Sequence, residues 1–186
     1  MTNPVHLATR TESRIDSINL NAEALQHVLT SYIALGNILD EIKKHVFYGR
    51  NIDYSKCSTN VSKVTETMLA LSSGSHFEQD TTTLNVDPRL FHVILGIATE
   101  STELCEALMS VVSDKKELDS VNVQEELFDV MWYVLIGHDV LNKSLDETLS
   151  MGFDKLRARF PTKFEGELAI KRDTDIERKV MEYHQK

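Results

Sequence analysis

The chain has 186 residues, 41% apolar and 26% charged, enough to bury a core as one domain or as two small halves. A net charge of −9 excludes a general nucleic-acid backbone binder, which needs a basic patch, but leaves room for a small anion reached through a metal. No apolar run is long enough to span a membrane and the N-terminus lacks the apolar segment of a signal peptide, so the cytoplasm of a bacterial or phage-infected cell is the expected location.

Seven Gly and three Pro suit a helical chain, and no run alternates convincingly enough for a strand. Residues 1–18 are polar and read as a loose arm. From Asn21 to Phe47, apolar residues at helical spacing (Leu25, Val28, Leu29, Tyr32, Ile33, Leu39, Ile42 among them) predict a long helix. Gly36 within it marks either close approach of a neighbouring helix or a weak spot. A second helix is expected over 60–71, then a polar, glycine-bearing linker. The expected organisation is an N-terminal helical half (1–72), a linker (73–86) and a C-terminal half (87–186). Asp87-Pro88 reads as an N-cap followed by proline at the first helical position, opening a helix to about Val112. The next helix is expected from Val123 to Leu141. Ser144 and Glu147 form a capping box for another, ending near Phe160-Pro161, and a charged helix closes the chain from Asp173 to His184.

The two helices of 87–141 carry the chemistry. Glu100 and Glu103 stand three apart on the first, and Glu126 and Asp129 repeat the spacing on the second, so each pair projects from one side of its helix. Both pairs are interleaved with core residues, Ile97, Leu104 and Leu108, then Leu127, Val130, Met131 and Val134. The short polar linker 113–122 returns the second helix antiparallel to the first, and four carboxylates meeting there require a cation. All four are hard oxygen donors with no His or Cys at ligand spacing, which favours Mg²⁺, with Mn²⁺ as the alternative, over zinc, copper or iron–sulfur. A di-iron bundle needs Glu-x-x-His, and His92 and His138 instead follow Arg89 and Leu135 by three. Cys105 lies beside the carboxylates and reads as a small core residue; with Cys57 it forms no ligand or disulfide framework.

The words ATESTELCEAL (98–108), EELFDVMWYVL (125–135) and KLRARFPTKF (155–164), with the tail AIKRDTDIERKVME (169–182), resemble the MazG-like family of all-α nucleoside triphosphate pyrophosphohydrolases, in its phage-type form. The resemblance covers about residues 86–182. It implies an all-α antiparallel helical bundle and Mg²⁺-dependent hydrolysis of an NTP or dNTP to the monophosphate and pyrophosphate. Glu100, Glu103, Glu126 and Asp129 are then metal ligands and catalytic residues, with Glu106 or Glu125 as further candidates to orient water. Lys155 and Arg159, four apart on one helix face, are candidate phosphate contacts, Lys155 the more so by resemblance, and Trp132 is a candidate to stack on a base unless it serves the core. Gly152 stands where the family often has an Asn, so one nucleotide contact is missing or comes from elsewhere. Such proteins commonly build their sites between subunits, so a homodimer is expected, with no nucleic-acid or membrane partner. Two alternatives stay open: a phosphoribosyl-ATP or dUTP pyrophosphohydrolase of the same superfamily, and a catalytically silent helical module that binds nucleotide or protein.

Residues 37–53 and 103–119 align at a constant offset of 66, with apolar positions in register. At this offset Glu100, Glu103, Glu126 and Asp129 fall on Ala34, Asn37, Asn60 and Lys63. The N-terminal half then reads as a degenerate copy that kept the packing and lost the metal, and that stands in for the second subunit; periodicity alone allows the plainer reading of two unrelated amphipathic helices. Lys43, Lys44, Tyr48 and Arg50 are its candidate phosphate or base contacts.

Overall fold

The computed structural model describes residues 3–74 and 76–184. Among them the chain is all-α: helices α1 (Pro4–Thr9), α2 (Ala22–Tyr48), α3 (Tyr54–Ser72), α4 (Pro88–Asp114), α5 (Ser120–Val140), α6 (Leu145–Arg159), α7 (Gly166–Ile170) and α8 (Thr174–Tyr183). Two short strands, β1 (Asn19–Leu20) and β2 (Thr82–Thr83), pair antiparallel with Asn19 opposite Thr83. No helix among the described residues is long and apolar enough to cross a membrane. Two compact units are each assembled from two chain segments, Met1–Ile18 with Asn85–Thr148, and Asn19–Leu84 with Leu149–Lys186. The passage at Leu84/Asn85 falls inside the linker expected over 73–86. Residues 1–18, however, group with the segment after that linker, and residues from 149 onward with the segment before it.

In the first unit, the Asp87 side chain accepts from Arg89 N (2.8 Å) and Leu90 N (3.0 Å), and Pro88 adds no amide that needs a partner, so α4 starts there. Asp119 does the same for α5, accepting from Val121 N and Asn122 N, three residues earlier than periodicity places the start. The loop Lys115–Asp119 returns α5 along α4. The helices approach closely at Gly96, where the Tyr133 ring occupies the space a Cβ would need.

Ile136 is fully buried, contributing about 2–3 kcal/mol by area. It shares its core with Val93 and Ala8, and Ile97, Trp132, Leu135 and Val140 pack around them. Ala8 belongs to α1, so the N-terminal segment is not a loose arm. Asn3 caps α1 by accepting from Val5 N (3.0 Å), and Glu12 is held by Arg89 through Oε1 (2.7 Å) and Oε2 (2.8 Å). Arg89 also reaches Asp139 (2.7 Å). These polar anchors are why a polar segment still packs: its few apolar residues are too sparse to show a period. The capping box at the start of α6 is formed, with Ser144 N donating to Glu147 (2.8 Å) and Glu147 N to Ser144 Oγ (3.1 Å).

In the second unit, α2 and α3 form a hairpin. Helix α3 begins at Tyr54 rather than Asn60, because Asp53 accepts from Lys56 N (3.0 Å) and caps it. Its first turns are polar, which hides the start from a periodicity argument. Gly36 has nothing within 4 Å of a Cβ built on it, so it is the weak spot and not a point of close approach. The α2 end of the hairpin is fastened by Glu41, 1% exposed, which accepts from Lys56 Nζ (2.8 Å) and from Arg50. Helix α7 packs on α2, with Gly166 against the Tyr48 backbone.

Glu177 of α8 is buried and accepts from Arg159 (2.7 and 2.5 Å) and Arg172 (2.6 Å). The Arg159 bonds first, then those of Arg172, hold its carboxyl down at about 2. An unfolded Glu titrates near ~4.3. The folded pKa is the lower one, so the stabilisation is complete above about pH 5 and is lost as pH falls through 2. Glu177→Gln is therefore expected to lower stability by about 2–3 kcal/mol at pH 7. In denaturant titrations over a pH series, the gap from wild type should close as pH approaches 2.

Candidate metal centre

Helix α4 carries Glu100 and Glu103 one turn apart, and α5 carries Glu126 opposite them. One carboxylate oxygen from each lies within 4.8 Å of the other two. Glu126 is 5% exposed, and Asn122, one turn earlier on α5, donates to its Oε1 at 2.6 Å. None of the three carboxylates is in an ion pair among the described residues. The cost shows in their protonation. Burial first, then the charges of Glu103, Asp129 and Glu126, pushes the Glu100 carboxyl up. The Glu103 carboxyl is pushed up by the Glu126 charge first, then by burial and by Glu106. The cluster is thus a place that gains by taking up positive charge, as protons or as a cation. Its donors are three hard oxygens without nitrogen or sulfur, which fits Mg²⁺ or Mn²⁺.

Asp129 is not among the three that converge. Its charge is still felt at Glu100, at Glu103 and at Tyr133, whose hydroxyl is pushed up by burial, then Glu100, then Asp129. Trp132 packs against the core of the first unit, edge-on to Tyr133 (4.8 Å) and His92 (6.2 Å), and its Nε1 donates to Thr11 Oγ1 at 3.0 Å. Its indole is therefore already used within the fold, the core side of the two readings. Arg159 spends its guanidinium on Glu177, so it offers no uncommitted charge to a phosphate. Lys155 is half-buried on α6 and forms no ion pair among the described residues. Cys105 is exposed and is not the small core residue expected.

The cationic candidates of the N-terminal half are likewise engaged. Lys43 and Lys44 pair with Asp40 (2.7 and 2.5 Å), which holds its carboxyl at about 2, and Arg50 pairs with Glu41. Tyr48 packs on Phe164 with ring centroids 5.5 Å apart. Sequence reasoning missed two residues of the centre, Asn122 and Gly96. The four-residue spacing of Asn122 from Glu126 was the available signal for the first. Nothing in the sequence distinguishes Gly96, which makes room for Tyr133, from Gly36, which makes room for nothing.

No protein-family model, no curated protein and no solved structure matches this chain.

Proposed function

We propose that this chain is a Mg²⁺-dependent nucleoside triphosphate pyrophosphohydrolase of the all-α, MazG-like type, with Mn²⁺ able to replace Mg²⁺. The observation that carries the reading is the convergence of Glu100, Glu103 and Glu126, their oxygens within 4.8 Å and none in an ion pair among the described residues. The order of acidic words along the chain, Glu-x-x-Glu then Glu-x-x-Asp, supports the same class.

In this reading Glu100, Glu103 and Glu126 hold the cation, and Asp129 adds charge from one turn further along α5. When bound, the cation polarises the phosphate oxygens and offsets charge that develops on the leaving pyrophosphate. The protein must also aim a water at phosphorus and accept its proton. One of the ligand carboxylates, or Glu106, whose charge reaches Glu103, or Glu125, next to Glu126, is the candidate for this role. The working form is proposed to be a homodimer; exposed Leu108, Met109, Val112, Leu127, Phe128 and Met131 along α4 and α5 favour a second copy that covers them.

Pyrophosphate release from a panel of canonical and modified NTPs and dNTPs, with and without Mg²⁺, tests this. Metal-dependent release is expected, with Glu126→Gln reducing it at least about 100-fold. Nucleotide binding without turnover of any substrate would replace the enzyme by a silent binding module.

A further inference from the structure

The two hairpins match beyond what two amphipathic helices require. Helix α2 runs from Ala22 to Tyr48 and α4 from Pro88 to Asp114; both bounds differ by 66. The N-caps Asn21 and Asp87, the second N-caps Asp53 and Asp119, and the starts of α3 and α5 (Tyr54 and Ser120) keep the same offset. So do the two C-caps, both left-handed, Gly49 at φ 65° and Lys115 at φ 55°. After them the amide of Arg50 donates to Lys44 O (3.3 Å), and that of Lys116 donates to Ser110 O (3.4 Å), 66 residues on in each case. Lys115 tolerates a backbone conformation that favours glycine, where its counterpart is glycine.

The side chains match at the centre and differ in charge. Asn60 and Glu126 occupy equivalent positions and are equally buried, at 4% and 5% exposed. Asn37 donates to Asn60 (3.4 Å), as Glu103 faces Glu126 across the other hairpin. Ala34 stands for Glu100. The buried carboxylate has moved instead to Glu41, whose counterpart is Ala107. The donor position one turn into the second helix serves both: Lys56 reaches Glu41 (2.8 Å), and its counterpart Asn122 reaches Glu126 (2.6 Å). Arg50 completes the neutralisation in α2–α3.

We infer that the α2–α3 hairpin is a duplicate of the α4–α5 hairpin in which the cation site has been dismantled, its fastening role taken over by the Glu41–Arg50–Lys56 ion triad. This rests on the metal reading of Glu100, Glu103 and Glu126. The triad supplies from the protein the positive charge that the other hairpin must take from solution. One hairpin is therefore cation-dependent and its copy cation-independent.

Two measurements on the full chain test this. Isothermal titration with Mn²⁺ compares the parent with the variant Ala34→Glu/Asn37→Glu/Asn60→Glu/Lys63→Asp. The variant is expected to gain a Mn²⁺ site beyond those of the parent. A variant with unchanged helical circular dichroism and unchanged Mn²⁺ uptake overturns the duplication while leaving the enzyme reading intact. A parent that takes up no Mn²⁺ overturns both. Should the variant not fold, hydrogen exchange of the parent and of Glu41→Gln decides. Mn²⁺ should slow exchange in 88–140 and leave 22–72 unchanged, and Glu41→Gln should speed exchange in 22–72 alone by about tenfold or more. Equal slowing of both hairpins by Mn²⁺, or no effect of Glu41→Gln, refutes the inference.

Discussion

Gly96→Ala is expected to destabilise the protein by about 2 kcal/mol, although the same change in an open helix stabilises it. The added methyl overlaps the Tyr133 ring, and moving that ring means shifting α5 against α4 or forcing an unfavourable side-chain rotamer. Overpacking of this kind costs about 3 kcal/mol at its upper range, against about 1 kcal/mol gained from helix propensity. Gly36→Ala is the control. With nothing within 4 Å it should gain about 1 kcal/mol. Urea unfolding of the two variants should therefore move the midpoint in opposite directions. Equal shifts would mean that Tyr133 does not lie on Gly96. Because Glu100 follows Gly96 by one turn, the first variant should also weaken Mn²⁺ binding.

Glu103→Gln is expected to stabilise the metal-free protein and to remove its response to metal. Glu103 is held next to Glu126, and their repulsion, together with burial, is what pushes its carboxyl up. An uncharged amide relieves that repulsion, so the metal-free variant should unfold at higher temperature than the parent. The parent protein should instead gain about 2.7 kcal/mol when Mg²⁺ or Mn²⁺ is present at about a hundredfold its Kd. Thermal unfolding with EDTA and with Mn²⁺ reads both effects. The variant should be the more stable in EDTA and the less stable in Mn²⁺; a parent indifferent to Mn²⁺ would leave the carboxylates as a mere surface cluster.

The helices were legible where caps and periodicity agree. Asp87-Pro88, the Ser144/Glu147 box and Asp173 each set a boundary that the structure keeps. Where the first turn sets no apolar period, as at Tyr54 and Ser120, only the capping Asp marks the start, and periodicity begins too late. Residues 3–18 were unreadable for another reason. What orders them is long-range, Glu12 on Arg89 and Thr11 on Trp132, and no local pattern encodes a partner that distant. At the centre, helical spacing brought out three converging carboxylates but ranked Asp129 equally with them, since spacing gives the face of a helix and not the reach of each side chain. Arg159 shows the limit for surface cations: its spacing from Lys155 was real, and Glu177 had already claimed it.

The interleaving of segments also governs the order in which the chain can assemble as it leaves the ribosome. The α2–α3 hairpin is local and can close as soon as Ser72 has emerged. The first unit cannot close then, because α1 and Glu12 must wait for Arg89, Trp132 and Ile136. The second unit waits longer still, since Arg159, Arg172 and Glu177 come from its last segment. Synthesis therefore passes through a stage in which a finished hairpin is flanked by an unfinished core on both sides in sequence. That nascent stage, with Ala8, Val93 and Ile136 not yet together, leaves apolar surface open to chaperones and proteases.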